Sequence, residues 1–238
     1  MKGDCLGDRM KRYEAPWKNV LPWRLPVIVR VDGKAFHTWT RGLARPFDVR
    51  FAHAMDEAGL RLCEEMQGAK LALVQSDEIS VLVYPWTNRD AQPWFGNELQ
   101  KITSVAASIA AAILTARSAE LHGAMKPAFF DARVMTLPED EVENAFIWRQ
   151  QDASRNSLQA LAQSLYPQAD LKGKRHAALH EMCFEKGHNY DALPIGQKRG
   201  RCIRRDADGK WHVDHEPPIF TRDRAYITDL MRSDVEAA

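Results

Sequence analysis

Two short apolar runs separated by four polar residues place the strongest limit on how this chain can fold. The runs are Ala69–Val74 and Ile79–Tyr84, and the segment between them is Gln75–Glu78. Apolar runs of this length joined by a short polar segment are typical of a β-hairpin. The chain is therefore expected to contain an antiparallel sheet with an acidic turn at one end.

The segments around this hairpin predict a split β-α-β order. Pro26–Val31 is a β-branched run followed by Asp32-Gly33, which is typical of a buried strand that ends in a turn. Helical spacing over Phe47–Gly68 and an alanine-rich stretch in Trp94–Leu121 predict two helices, and Phe129–Leu137 has a strand pattern. This order is that of ferredoxin-like domains, which also form the palm of polymerases and nucleotide cyclases. We therefore expect an α+β fold, an antiparallel sheet with helices on one face.

The remaining residues predict an extension of this palm-like core. Residues 1–137 are assigned to the catalytic core, and residues 138–238 to a helical and basic extension that is expected to pack on the core and to contact tRNA. The extension contains a second hairpin, Gly200–Arg205 with Lys210–Val213. A length of 238 residues suits one domain with an appendage. The segment Lys172–Arg205 is rich in Lys, Arg and His and could meet the phosphates of a nucleic acid. On charge alone, an ordinary solvated surface is the favoured alternative.

Composition excludes several classes of protein. The four cysteines are far apart and form no C-x-x-C pair, so we expect neither a zinc site nor a disulfide framework, and the usage fits a reducing cytoplasm. The longest apolar stretch, Ile109–Leu114, is too short to cross a bilayer. Met1–Asp4 lacks the apolar region of a secretory signal. We expect a cytoplasmic protein with no membrane partner.

The most informative residues are Asp32 and Asp77. Asp32 ends the first predicted strand, Asp77 lies at the tip of the hairpin, and the split β-α-β topology places the first and third strands side by side. Two carboxylates brought together repel each other unless a cation lies between them. Carboxylate oxygens suit Mg²⁺, and two such ions about 4 Å apart support in-line displacement at phosphorus. Ordinary solvent-exposed turns are the alternative, and the pattern alone leaves both interpretations open.

Gly33 and the residues after it could complete a phosphate site. A residue without Cβ lets the backbone approach a phosphate or offer its carbonyl to a metal. The backbone N–H groups of Lys34, Ala35, Phe36 and His37 could surround a triphosphate, as oriented amides do in anion-binding nests.

Several blocks in a fixed order resemble the tRNA(His) guanylyltransferase family. They run from residue 7 to about residue 205. The blocks are G-D-R-M-K-R-Y-E (Gly7–Glu14), R-V-D-G-K-A-F-H (Arg30–His37), R-P-F-D (Arg45–Asp48), Q-S-D-E-I-S (Gln75–Ser80), F-D-A-R-V (Phe129–Val134), W-R-Q-Q-D (Trp148–Asp152) and R-N-S (Arg155–Ser157).

This resemblance implies a palm-like core that carries two Mg²⁺ ions. The implied metal ligands are Asp32, the Gly33 carbonyl and Asp77, and the two aspartates are the implied catalytic residues. The nucleotide triphosphate is expected to contact the segment Asp32–His37, with Ser76 beside Asp77. Arg45 and Lys101 are secondary candidates for the nucleotide, and a solvated surface with packed side-chain stems is the equal alternative for both.

The resemblance also implies a reaction in the 3′-to-5′ direction. In the family, ATP adenylylates a 5′-monophosphorylated tRNA, and the 3′-hydroxyl of GTP then attacks the activated end. Family members are commonly tetramers. Members that serve histidine tRNA carry His-Ile-Asn-Asn where this chain has Ser154–Ser157. This difference is similar to the bacterial and archaeal "like" branch, whose members tend toward template-dependent repair of tRNA 5′ ends.

Two other functions remain open at this point. A nucleotide cyclase-like enzyme could share the palm and its metal pair, but a cyclase needs no basic polynucleotide surface. A non-catalytic RNA-binding module could share the fold, but buried paired carboxylates are costly without a metal.

Overall fold

An antiparallel sheet of six strands forms the centre of the computed structural model, which describes residues 5–232 apart from residues 87 and 89. The sequence prediction for Met1–Asp4 therefore lies outside the described residues. The strands follow the order β4-β1-β3-β2-β5-β6 across the sheet. Their bounds are β1 (Val27–Gly33), β2 (Ala69–Gln75), β3 (Glu78–Val83), β4 (Phe130–Thr136), β5 (Arg201–Arg205) and β6 (Trp211–Asp214).

Helices of very different lengths surround the sheet. In chain order, those of the described residues are α1 (Leu6–Glu14), α2 (Phe36–Trp39), α3 (Val49–Glu65), α4 (Leu99–His122), α5 (Val142–Leu165), α6 (Gln168–Leu171), α7 (His176–Glu185), α8 (Ile195–Arg199) and α9 (Ala225–Arg232).

The predicted mixed fold of helices and antiparallel sheet is confirmed. Strands β2 and β3 form the expected hairpin, in which Val74 pairs with Ile79 and Gln75 with Glu78. Strand β1 lies between β3 and β4. The ends of β1 and of the hairpin are therefore at the same edge of the sheet. The closer likeness to a polymerase palm remains a prediction.

One face of the sheet is covered by α3 and α4. Small residues of α4, among them Ala106 and Ala110, are fully buried and allow the helix to approach the strands closely. By length and composition alone α4 could cross a membrane, although the sequence prediction considered only Ile109–Leu114. Its exposed side carries Ser104, Ser108 and Arg117, as is typical of a helix that forms one layer of a core.

The core helices α3 and α4 thus lie on one face, as predicted, and helices of the C-terminal segment cover the opposite face. Helices α5 and α9 bury Phe146 and Ile227 against this face. Ile28 and Leu73 contribute apolar side chains to it from β1 and β2. Central strands that are apolar on both sides need cover on both sides.

The predicted C-terminal hairpin continues the same sheet. Strand β5 pairs with β2 through Ala72 and Ile203, and β6 pairs with β5. The end of α5 forms a separate small core with α6 and α7, around Leu161 and Cys183. The segment assigned to an extension thus supplies two strands and a second layer of helices to the sheet.

Candidate active site at one edge of the central strands

Asp32 and Asp77 lie beside each other at the edge of the sheet, as the topology predicts. Asp32 is the next-to-last residue of β1, and the backbone N–H of the last residue, Gly33, donates to the carbonyl of Asp77 at 3.1 Å. Ser76 has a φ of +46°, a left-handed conformation that reverses the chain between β2 and β3. This turn holds Asp77 against the end of β1.

Asp32 is the middle member of a row of three acidic residues. It is paired with Glu78 on β3 and with Asp131 on β4. Because alternate residues of a strand share a face, Asp32 lies on the same side of the sheet as Arg30 and Ile28. Ile28 packs in the core beneath α5, so the row faces the α5 side.

Burial and negative neighbours raise the pKa of Asp32 and of Asp77. Burial is the main cause that raises the pKa of Asp32 above its ordinary value, and Glu78 and Asp131 add to it. Burial likewise raises the pKa of Asp77, against the opposing effect of a hydrogen bond from Ser76, and the charge of Asp32 contributes further. A cation between the two aspartates would offset both the burial of the charges and the repulsion between them.

Arg149 neutralises Glu78 and was not assigned a role from the sequence. Its Nε and Nη2 donate to the two oxygens of Glu78 at 2.8 and 2.6 Å, and Nη2 also donates to Asp152 at 2.9 Å. Arg155 donates to the other oxygen of Asp152 at 2.6 Å. This chain of ion pairs fastens α5 to β3 beside the aspartates. The W-R-Q-Q-D block was the only signal, and it did not indicate the partner 71 positions earlier.

A cavity of about 1020 Å³ opens next to these residues. Its walls come from the ends of β1, β2 and β3, the segment before α3, and the side of α5. Five predicted site residues line it, and Trp148 does so from α5. The five are Asp32, His37, Arg45, Ser76 and Asp77.

The segment Gly33–His37 is only partly available to a phosphate. The N–H groups of Gly33 and Lys34 donate to Asp77 and to Phe129, so they are not free for a nest. Ala35, the residue just before α2, has a φ of +56°. The N–H groups of Ala35–His37 have no backbone acceptor among the described residues. The predicted nest is thus reduced to these three.

The side chain of Phe36 belongs to the core and not to the site. It is 4% exposed and stacks on Trp39, with ring centroids 4.9 Å apart. A Cβ on Gly33 would lie 2.4 Å from this ring. Close packing against Phe36 is therefore the structural reason for glycine at position 33, whereas the sequence suggested room for a phosphate or metal.

Lys101 does not join the cavity of its own chain. It lies in the first turn of α4 and pairs with Glu98 at 3.3 Å. The backbone of Glu98 forms an antiparallel β-bridge with that of Val20, which lies in the segment before β1. The aspartates are at the other end of β1, which is about 17 Å long between Val27 and Asp32 at the usual rise of a strand, and Lys101 does not line the cavity. The structure does not support a nucleotide contact by Lys101 within one chain.

Asp48 fixes the segment that carries Arg45 and was not singled out from the sequence. It is buried and accepts from the N–H groups of Ala44, Arg50 and Phe51. The guanidinium of Arg50 adds two further bonds, at 3.2 and 2.8 Å. With these donors, chiefly the Arg50 side chain, the pKa of Asp48 is far below its ordinary value. Asp48 caps α3 as a permanent anion and holds Arg45 at the cavity wall.

Among the described residues, no three His, Cys, Asp or Glu side chains converge closely enough to form a ready-made metal site. The pair Asp32 and Asp77 nevertheless has the properties of a partial site for a hard cation. Both supply oxygen atoms, both are partly buried, and both have a raised pKa. Further ligands would have to come from water or from the phosphates of a substrate.

Comparison with known proteins identifies relatives over most of the chain. The family model for tRNAHis guanylyltransferase matches residues 7–138. A solved structure of a bacterial tRNA(His) guanylyltransferase-like protein in complex with ATP is 45% identical, with a TM-score of 0.92, over 96% of this chain and 100% of that one. A structure of the same description in complex with GTP is 43% identical, with a TM-score of 0.83 and the same coverage. A probable tRNA(His) guanylyltransferase of Dictyostelium discoideum is 28% identical over 82% of this chain and 80% of its own length.

Proposed function

The chain belongs to the tRNA(His) guanylyltransferase family of nucleotidyltransferases, and we propose that it adds nucleotides to the 5′ end of tRNA in the 3′-to-5′ direction. The observation that carries this proposal is the meeting of Asp32 and Asp77 at the wall of a cavity large enough for nucleotides. Two related structures contain ATP and GTP. Both nucleotides are therefore the proposed small substrates of this chain.

The residues present fit Mg²⁺, and the proposal includes two ions held by Asp32, Asp77 and the Gly33 carbonyl. Carboxylate and carbonyl oxygens are ligands that Mg²⁺ prefers, and it retains water and substrate phosphates as further ligands. This agrees with a site in which no third acidic side chain converges among the described residues. When bound, the ions would activate the attacking oxygen and stabilise the leaving phosphate.

The protein's own groups hold the substrates for two successive displacements. In the first, an oxygen of the tRNA 5′-monophosphate attacks the α-phosphorus of ATP, and pyrophosphate leaves. In the second, the 3′-hydroxyl of GTP attacks the activated 5′-phosphorus, and AMP leaves. The free N–H groups of Ala35–His37 and the guanidinium of Arg45 are the proposed partners of the triphosphate. Ser76 supports Asp77 through its hydroxyl.

The basic part of the C-terminal half is the proposed tRNA surface. A second cavity, of about 450 Å³, is lined by Arg155, His176, Lys198 and Arg199. These residues come from α5, α7 and α8, on the same side of the sheet as Asp32. Cations clustered beside a phosphoryl-transfer site would bind the sugar–phosphate backbone. Lys172, Lys174, Lys186 and Asn156 are further candidates.

Template-dependent repair of tRNA 5′ ends is favoured over a role restricted to histidine tRNA. The chain lacks the His-Ile-Asn-Asn block, and it is 45% identical to a bacterial "like" protein but 28% identical to the Dictyostelium discoideum protein. A cyclase-like activity and a non-catalytic module are less favoured. The family match argues against both, and the paired aspartates argue further against a non-catalytic module.

Self-association and a cytoplasmic location complete the proposal. Helix α1 buries none of its residues, and Leu6, Tyr13 and Trp17 around it are 64–71% exposed. An apolar surface of this kind favours assembly with other copies, and a tetramer is proposed. The described cysteines are all free thiols, in agreement with a reducing compartment.

The test uses purified protein with Mg²⁺, ATP, GTP and 5′-monophosphorylated tRNA, either intact or without its first nucleotide. We expect extension of the truncated tRNA by the nucleotide that its opposite strand specifies. Extension of intact histidine tRNA, without extension of the truncated tRNA, would favour a role restricted to histidine tRNA. A folded protein that extends neither substrate would overturn the proposal.

A further inference from the structure

Trp148 is an exposed tryptophan at the wall of the candidate active site. It lies on α5, is 47% exposed, and lines the cavity together with Asp32 and Asp77. Its neighbours Phe146 and Ile147 are buried against the sheet. The packing of α5 therefore does not explain a large aromatic side chain at position 148.

Two arginines hold the indole ring in place. The guanidinium carbon of Arg149 is 4.5 Å from the ring centroid, and that of Arg30 is 5.7 Å from it. Arg149 is itself fixed by Glu78 and Asp152. Cations near an aromatic ring orient it and make its surroundings attractive to phosphate. Within the described part of the chain, the indole N–H donates to no protein group.

The ring lies close to the proposed point of reaction. Arg30 and Asp32 are on the same face of β1, two residues apart, which corresponds to about 7 Å along a strand. Trp148 contacts Arg30 from above this face. A nucleotide whose phosphate is at Asp32 could therefore place its base on the ring of Trp148.

We propose that Trp148 is the stacking surface for the terminal base at the 5′ end of the RNA substrate. This inference rests on the proposed function and names a residue that positions the RNA. A mononucleotide site normally encloses most of its ligand, whereas the ring of Trp148 is half exposed at the cavity rim. An open aromatic surface suits the end of a longer chain that leaves the site. All four bases have a π face, so stacking holds RNA ends of any sequence, as repair of different tRNAs requires.

The test compares Trp148→Ala and Trp148→Phe with the wild-type protein. The probes are 5′-monophosphorylated tRNA lacking its first nucleotide, followed by fluorescence anisotropy, and GTP, followed through its KM. Loss of one stacked base weakens binding by roughly 5- to 150-fold. We expect Trp148→Ala to weaken RNA binding within this range and to change the KM for GTP by less than about twofold. Trp148→Phe should recover most of the RNA affinity because it keeps an aromatic face.

A matched control and a substrate change separate stacking from a structural role. Trp23→Ala removes a tryptophan of similar exposure, 48%, that lines neither cavity, and should leave RNA binding unchanged. Removing the terminal base from the tRNA should weaken binding to the wild-type protein as much as Trp148→Ala does. It should have no further effect on binding to Trp148→Ala.

The outcomes distinguish a failure of the role assigned to Trp148 from a failure of the proposed function. Equal losses for GTP and RNA, or additive effects of Trp148→Ala and the missing base, would overturn the assignment of Trp148 while extension by the wild-type protein persists. Failure of the wild-type protein to bind or extend any tRNA would overturn the proposed function itself, and the stacking role with it.

Discussion

Arg149 donates to both carboxylate oxygens of Glu78, at 2.8 and 2.6 Å, and Glu78 is the residue directly opposite Asp32 in the sheet. Both side chains are nearly buried, with 8% and 12% exposed. The guanidinium therefore offsets part of one negative charge in the row, which still raises the pKa of Asp32, and it anchors α5 at the site. Without it, an unpaired Glu78 would stand next to Asp32.

Arg149→Met is expected to destabilise the protein by about 3–5 kcal/mol, because it leaves a buried carboxylate without its partner. The double variant Glu78→Gln with Arg149→Met should recover most of this loss, since the carboxylate that Arg149 neutralises is removed as well. Urea denaturation of the single and double variants measures the difference. Equal stability of the two would show that the ion pair has no part in holding α5 to the sheet.

Asp77→Asn is expected to abolish 5′ extension and yet raise Tm in buffer without divalent metal. Both Asp32 and Asp77 have a pKa above the ordinary value, chiefly because of burial, so their ionised forms oppose folding at pH 7. This cost is present above the folded pKa values and disappears as pH falls below the unfolded value of about 4. The advantage of Asp77→Asn should shrink accordingly in acid.

Magnesium provides the complementary measurement for the same variant. Wild-type Tm should rise with millimolar Mg²⁺, because a ligand that binds only the folded state stabilises it. Asp77→Asn should respond much less. A variant that is less stable than wild type in chelating buffer, or that responds equally to Mg²⁺, would contradict the assignment of these carboxylates.

Asp48→Ala is expected to reduce stability by about 2 kcal/mol, the upper range for loss of a helix cap, and to raise the KM for GTP. The second effect follows because Asp48 holds the segment that places Arg45 at the cavity. Its lowered pKa, set mainly by Arg50, makes its stabilisation fully present above the unfolded pKa of about 4 and lost as pH falls further. Chemical denaturation at pH 7 and pH 3 measures this.

Asp48→Asn serves as the control, because asparagine caps a helix but cannot pair with Arg50 as an anion. It should keep more stability than Asp48→Ala at pH 7 and lose the dependence on acid pH. An unchanged KM for GTP in both variants would mean that Arg45 does not contact the nucleotide.

Trp17→Glu is expected to lower the molecular mass of the particle in solution. Trp17 follows α1 and is 71% exposed, so a charge there alters the surface proposed for self-association without disturbing the core. Analytical ultracentrifugation measures the change. Met125→Glu, at a residue 76% exposed elsewhere, is the control and should leave the assembly intact. A wild-type protein that sediments as a monomer would refute the proposal.

Local patterns in the sequence were sufficient for the hairpin and for the meeting of Asp32 with Asp77. The polar tip Gln75–Glu78 fixes the turn, and a split β-α-β order leaves few ways to arrange β1 and β3. The hairpin depends only on residues that are close in sequence, and the proximity of Asp32 and Asp77 depends on a common topology. The pattern of apolar and polar residues was therefore enough to predict both.

Long-range contacts account for what the sequence did not predict. The pairing of β5 with β2 joins residues about 130 positions apart, and no pattern in either strand specifies that edge. The same holds for Arg149 with Glu78. Lys101 does not line the cavity, because its position depends on which end of the sheet α4 begins at. Periodicity identified its helix but not that end.

Gly33→Ala tests whether position 33 is required for packing or for metal binding. The new Cβ would lie 2.4–2.8 Å from ring atoms of Phe36, and the ring cannot move freely because it is buried and stacked on Trp39. Overpacking of this kind costs about 1–3 kcal/mol, and the shift of α2 should displace the free N–H groups of Ala35–His37. We expect lower Tm and a large loss of 5′ extension. The double variant Gly33→Ala with Phe36→Leu makes room for the methyl group and keeps the carbonyl of residue 33. It should recover both stability, measured by thermal unfolding, and 5′ extension, measured by the tRNA assay. Recovered stability without recovered extension would mean that glycine itself is needed at the reacting phosphates.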